Sequence, residues 1–281
     1  ETMKEFLLNE KSLDGQFDSM EAFYKTLPVM SRNLKMLKDN QVILQKHSSL
    51  YQHKITKDVS LFDLQNKKGN VDPTQRDRLN MWKRQIASLM RTPPFWDDDS
   101  ESVDSVQEAA KRNTDVLSFL HDEYRDRILH ISCDDDVYMV RSAVSTEYLA
   151  ETMFQKKYID RKEYIRQRYQ NGRIRTCYID METNSVDELE KQELKELIEG
   201  LERFEEASTW RDILSDRFFD YKSYQPSSAK YKVFENGQFA GKNIDKFRCG
   251  QHSQVRCWGY REEDNFYVLR IERDHRYSDH G

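Results

Sequence analysis

IDKFRCGQHSQVRCWGYREEDNFYVLRIERDHRY, residues 244–277, is the stretch from which the rest of the chain can be read. Two segments rich in β-branched and aromatic residues, 254–261 and 266–273, flank the polar tetrapeptide Glu262-Glu263-Asp264-Asn265. That is a hairpin signal. A four-residue loop pairs Arg261 with Phe266, and the register follows outward. Unbroken alternation then puts Arg256, Trp258, Tyr260, Tyr267, Leu269 and Ile271 on one face. Val255, Cys257, Gly259, Val268, Arg270 and Glu272 fall on the other. The first face is mostly apolar and is expected to meet a core. A third strand, about residues 244–249, carries Lys246 and Arg248 two apart and so on one face. Arg273-Asp274-His275-Arg276-Tyr277 follows the last strand. The expected product is a small antiparallel sheet dotted with cations, His and Tyr.

Upstream of this sheet, residues 173–181 (RIRTCYIDM) alternate as a strand. Residues 186–204 predict an acidic helix with Leu189, Leu194, Leu197, Ile198, Leu201 and Phe204 inward. A second helix is expected over 210–219, then a loop over 221–238. The pattern resets at Asn171-Gly172, which places a boundary between a domain 1–172 and a domain 173–281.

The first domain predicts as mainly helical with short strands and hairpins, so the chain as a whole is expected to be α+β. A helix over 19–27 stops before Pro28, and another turn or two lies at 33–37. Residues 42–44 and 51–55 suggest short strands, and Lys67-Lys68-Gly69-Asn70 a turn. Asp72-Pro73 opens a helix over 74–90 with Leu79, Trp82, Ile86 and Leu89 inward. In the loop PPFWDDD, residues 93–99, Phe95 and Trp96 are expected to anchor while the acids cap the next helix. That helix spans about 101–120, with a break near Asn113-Thr114. A hairpin is expected over 128–132 and 137–141, around Asp134-Asp135-Asp136, and helices over 145–154 and 161–169.

Charged residues make up 34 % of the chain and hydrophobic ones 37 %, and 15 Tyr and 14 Phe supply aromatic mass for real cores. The net charge of −5 excludes a globally basic nucleic-acid binder, so any such binding must come from a local patch. Cys133, Cys177, Cys249 and Cys257 show no paired CxxC spacing. Reduced thiols, no structural zinc and a cytoplasmic protein are expected. No apolar run approaches membrane length, and the start carries no leader pattern.

From Arg173 onward the order is strand, helix, helix, loop and three antiparallel strands. Lys246-Phe247-Arg248 follows the lead-in Phe239-Ala240-Gly241-Lys242, Arg256 opens the next strand, and Arg273, Arg276 and Tyr277 close the last one. This resembles the RelE/ParE superfamily of small bacterial toxins, over about the last third of the chain. The RelE branch is similar to a metal-free ribonuclease acting on mRNA, in which the RNA 2′-OH attacks its own phosphate. That chemistry needs a base, cations around the phosphate and an acid for the leaving oxygen. The resemblance implies Lys246 and Arg248 on phosphate and Arg256 on transition-state charge, with Arg273 a further catalytic residue and Arg276 and His252 further nucleic-acid contacts. His275 is a candidate acid or base, Tyr277 stacks on a base or shuttles a proton, and His252 is a second imidazole. The implied partners are RNA or the ribosome, with an antitoxin or defence-complex protein beside them, and no cofactor or membrane.

Plainer structural roles stand beside these. Lys246 and Arg248 suit the solvent side of a strand, Arg256 suits a cross-strand pair with an acid such as Glu272, and His275 and Tyr277 suit a chain-end cap. Two other functions fit the residues: a non-catalytic binding subunit of a defence complex, and a metal-dependent nuclease built on Asp97–Asp99 or Asp134–Asp136.

Overall fold

The computed structural model describes residues 3–15, 17–66, 71–133, 136–169, 172–181, 184–226, 228, 232, 234 and 237–273. Among these residues the fold is α+β, with eight α-helices and two mixed five-stranded sheets. The chain divides into two compact units, Glu1–Ile159 and Asp160–Gly281. The division therefore falls ahead of residues 161–169 and not at Gly172. The reason is local: Arg161 donates to the Leu189 carbonyl and Arg168 pairs with Glu202, which ties that helix to the downstream residues.

In the first unit the sheet order is β2-β1-β3-β5-β4. Strands β1 (Glu5–Leu8), β2 (Ile43–Gln45), β3 (Asp115–Leu117) and β5 (Asp136–Ala143) run parallel. Strand β4 (Arg127–Cys133) pairs antiparallel with β5, as the sequence predicts. The expectation of a helical domain with hairpins missed this parallel centre. β1 and β3 are four and three residues long and buried along their whole length. Strands covered on both faces show no alternation, and so few residues cannot announce a period.

Helix α1 (Met20–Asp39) starts on a Ser19 cap and continues through Pro28, where a stop was expected. Phe23 and Leu27 before the proline, and Met30, Met36 and Leu37 after it, are all buried. That continuous apolar stripe outweighs the proline penalty of about 3 kcal/mol. Residues 51–55 form no strand; a 3-10 turn, Leu50–Gln52, stands there. Helices α2 (Leu61–Asn66) and α3 (Pro73–Arg91) follow, the latter burying Leu79, Trp82 and Ile86. Trp82 meets Phe23 at 5.1 Å. The turn expected at 67–70 lies outside the described residues.

The helix read over 101–120 is shorter: α4 (Ser105–Arg112), capped by Asp104, ends on Asn113 in the left-handed region at φ 54°. The chain then enters β3. In the loop 93–99, Trp96 is an anchor at 1 % exposure, but the acids do not cap α4; Asp97 binds Ser48 instead. Helix α5 (Thr146–Gln155) completes the unit on a Ser145 cap.

The second unit opens with α6 (Arg161–Tyr169). Its sheet order is β6-β10-β9-β8-β7. The strand expected over 173–181 shrinks to β6 (Ile174–Arg175), which runs parallel to β10 (Asn265–Glu272). Strands β7 (Lys222–Ser223), β8 (Ile244–Arg248), β9 (Arg256–Glu262) and β10 are antiparallel neighbours. The acidic segment begins as a 3-10 turn, Val186–Glu188, and becomes α7 (Lys191–Glu206). Helix α8 is short, Trp210–Ser215.

Helix α7 lies on the Phe247 side of the sheet, with Phe204 at 4.9 Å from Phe247 and 5.6 Å from Phe266. A Cβ on Gly200 would stand 2.7 Å from the Cys249 Cα, so helix and strand approach closely only because this residue is glycine. The face expected to meet the core is therefore not the one under the helix. It is buried too, in a cluster of Tyr224, Phe234, Phe239, Ile244, Trp258, Tyr260 and Leu269.

The hairpin register holds near the turn, with Arg261 opposite Phe266. It shifts between Val268 and Arg270, where one extra residue forms a bulge. Beyond it Arg270 faces Trp258, Ile271 faces Cys257 and Glu272 faces Arg256. Arg270 and Glu272 thus join the Trp258 face and Ile271 leaves it, which reverses the predicted assignment for this end of β10.

Candidate functional site

The bulge assembles two polar rungs on one face of the second sheet. Opposed residues of an antiparallel pair share a face, with Cβ atoms about 4.5–5.5 Å apart. One rung reads Lys246, Trp258, Arg270 across β8, β9 and β10, and the next reads Arg248, Arg256, Glu272. Four cations, one carboxylate and one indole are thereby gathered at one end of the sheet. Lys246, Arg248 and Arg256, singled out from the sequence, do come together.

Lys246, Arg256 and Arg270 are 4 %, 8 % and 6 % exposed, and Glu272 is fully buried. These are not the solvent side of a half-exposed strand. The Lys246 ammonium stands 5.3 Å over the Tyr224 ring, which also meets Trp258 at 4.2 Å. Arg256 donates to the Ser253 and Val255 carbonyls, and Arg270 lies 3.6 Å from Glu272. Arg248 is more open and pairs with Asp220 at 3.1 Å. The plain structural role imagined for Arg256, a rung shared with Glu272, is present as well.

Arg273 is not part of this face in its contacts. Its guanidinium pairs with Glu193 at 2.8 Å and Glu190 at 2.6 Å, at the start of α7. The hydrogen bond that it donates to Glu193, then the one to Glu190, raises its pKa above the ordinary arginine value. His252 is exposed in the loop between β8 and β9. His275, Arg276 and Tyr277 lie outside the described residues.

Arg270, Glu272 and Tyr224 were missed from the sequence. Alternation assigned the first two to the wrong face, and no residue type in Leu269-Arg270 marks the bulge. Beside Tyr224 opens a cleft of about 340 Å³, lined among others by Lys232, Phe234, Lys242, Asn243 and Ile244. Lys242 pairs with Glu262 at 2.6 Å at its rim.

On the opposite face Tyr221 donates to Asp245 at 2.7 Å. Burial pushes the Asp245 carboxyl up, against the hydrogen bonds from Tyr221 and Ser223. Cys249 and Cys257 place their Sγ atoms 3.4 Å apart as buried free thiols, and burial pushes Cys257 well above the ordinary thiol value.

Among the described residues no group of three His, Cys, Asp or Glu side chains is arranged to hold a metal ion. No described helix is long and apolar enough to cross a membrane. No family model, curated protein or solved structure matches the chain.

Proposed function

We propose that the second unit is a RelE-like module that binds RNA through its phosphates and cleaves mRNA without a metal, in a bacterial toxin–antitoxin or phage-defence setting. The observation that carries this reading is the pair of rungs that gathers Lys246, Arg248, Arg256 and Arg270 on one sheet face. In a chain of net charge −5 such a local concentration is what can attract a polyanion. In the proposed reaction the 2′-OH attacks the adjacent phosphorus and the P–O5′ bond breaks. Arg256 and Arg270 take up the charge that develops. His275 and Tyr277 are the proposed proton carriers.

A second reading is favoured by the low exposure of Lys246, Arg256 and Arg270: the same face holds RNA, or a protein partner, without cutting it. The full chain, expressed in bacteria with and without Arg256→Ala, separates the two through growth and mRNA integrity. Cleavage that survives EDTA and is lost in the variant supports the nuclease. RNA binding without cleavage, with a salt slope about one log–log unit shallower in the variant, supports the holding module. A folded parent chain that neither binds nor cuts RNA overturns both.

A further inference from the structure

At the edge of the first sheet the chain leaves β2 through Lys46, whose backbone bridges to Phe95. The Trp96 N–H donates to the Lys46 carbonyl at 3.1 Å. The Lys46 ammonium donates to the Thr92 and Pro94 carbonyls and stands 4.2 Å over the Phe95 ring. These contacts clamp the loop 93–97 beside residues 46–49, and the clamp brings Asp97 to the neighbours His47 and Ser49, from which the sequence holds it far apart.

His47 packs on Trp96 at 4.9 Å. Its Nδ1 receives the Ser49 backbone N–H at 3.0 Å. A backbone N–H only donates, so Nδ1 carries a lone pair and the neutral ring has its proton on Nε2. The Ser49 Oγ, 2.7 Å from Nδ1, therefore donates its proton to that lone pair. On the other side of the ring, Nε2 faces Asp97 Oδ2 at 3.6 Å. Ser48 holds the carboxylate with its N–H at 2.8 Å and its hydroxyl at 2.6 Å. Burial works against the Asp97 charge, but the Ser48 hydrogen bonds and His47 bring its pKa below the ordinary carboxylate range.

We propose that Ser49, His47 and Asp97 form a nucleophilic site that cleaves neutral carboxylic esters through an acyl-serine. Ser49 is the nucleophile, His47 the base and Asp97 a positioning residue, which is the logic of a hydroxyl within hydrogen-bond reach of an oriented imidazole. The ring nitrogens are used in the order Nδ1 toward the hydroxyl and Nε2 toward the carboxylate. Side-chain exposures of 29 % for His47 and 18 % for Asp97 leave the base reachable and its orienting partner sheltered. A second imidazole, His53, lies 6.4 Å from His47 and 3.7 Å from Asp14. Carboxylates beside both imidazoles repel a phosphate dianion, so the substrate class is a neutral acyl group.

In the first step the Ser49 Oγ bonds to the carbonyl carbon while its proton passes to His47 Nδ1. The tetrahedral species expels the alcohol oxygen, which takes that proton back from His47, and the acyl group remains on Ser49 as an ester. Water then attacks the acyl carbon and gives its proton to His47. The carboxylic acid leaves, and the same proton restores the Ser49 hydroxyl. Water is the sole co-reactant.

The full chain is incubated with a fluorophosphonate probe, and the adduct is located by peptide mass mapping. The expected result is an adduct on Ser49 that Ser49→Ala abolishes. His47→Gln should slow labelling by about 10²–10⁴-fold, the usual contribution of a general base. Asp97→Asn should slow it as well, and Asp97→Glu should restore part of the rate, which a merely structural role would not require. Thermal melts of each variant establish that it is folded. A folded parent chain without an adduct on Ser49 overturns the proposal. So does a folded His47→Gln or Asp97→Asn chain labelled at the parent rate.

Discussion

The two sheets bury their polar groups in different chemistry. The first buries the carboxylates Glu5 and Asp115 on its strands, beside a neutral network: Asn9 donates to Ser118 at 2.9 Å, and Ser118 and Ser142 share a hydrogen bond of 2.7 Å. Asn33 donates to the Val144 carbonyl at 2.8 Å and accepts from Thr146 at 2.9 Å. In the second, the buried groups of the two rungs are Lys246, Arg256, Arg270 and Glu272. Neutral groups bury at small cost once hydrogen-bonded, whereas buried ions cost several kcal/mol each before their partners repay it. The neutral network suits holding short parallel strands in register. Buried charges are a poor way to gain stability, in the two rungs as at Glu5 and Asp115.

The sharpest way to break this contrast is Glu272→Ala. Removing a fully buried carboxylate from a rung of cations should destabilise the second unit by about 3–5 kcal/mol, read by urea denaturation. A loss below about 1 kcal/mol would mean that the rungs are solvated and the contrast is false. The counterpart in the first unit is Ser118→Ala, which strands Asn9 and Ser142. It should cost about 1–3 kcal/mol by the same measurement.

A smaller effect distinguishes the units by pH. Asp97 is held below the ordinary range, so its contribution is complete above the unfolded carboxylate value of about 3.9 and is lost as pH falls through the lower folded value. Asp245 is pushed up by burial, against its hydrogen bonds. Between the unfolded value of about 3.9 and its higher folded value, the folded chain keeps a proton that the unfolded chain has released, so the second unit gains stability as pH falls through that window. Asp97→Asn should remove an acid-induced loss and Asp245→Asn an acid-induced gain, both visible in melting temperature across the acid range. Two shifts of the same sign would refute the assignment.

Much of the second sheet was legible in the sequence. The tetrapeptide Glu262–Asn265 announced its turn, and the aromatic, β-branched flanks announced β9 and β10. Lys246, Arg248 and Arg256 were found because two-residue spacing survives in a regular strand. Arg270 and Glu272 were not, because a bulge at Leu269-Arg270 has no residue signature and its packing is decided by distant parts of the chain. β1 and β3 were hidden by brevity and two-sided burial. His47, Ser49 and Asp97 were invisible as a group: their meeting depends on the Lys46–Phe95 bridge, a contact between segments that no local pattern relates.

The single extra residue in β10 also decides which buried side chains are neighbours across the sheet. With unbroken alternation, Arg256 would share its face with Leu269 and Ile271, and Arg270 and Glu272 would stand on the other. The slip makes the Trp258 face change character along its length instead, from stacked Tyr260 and Tyr267 near the hairpin tip to Arg256 and Glu272 at the far end. Deleting Leu269 would remove the bulge and leave Arg270 opposite Trp258 and Glu272 opposite Arg256, so the rungs should outlast the irregularity that accompanies them.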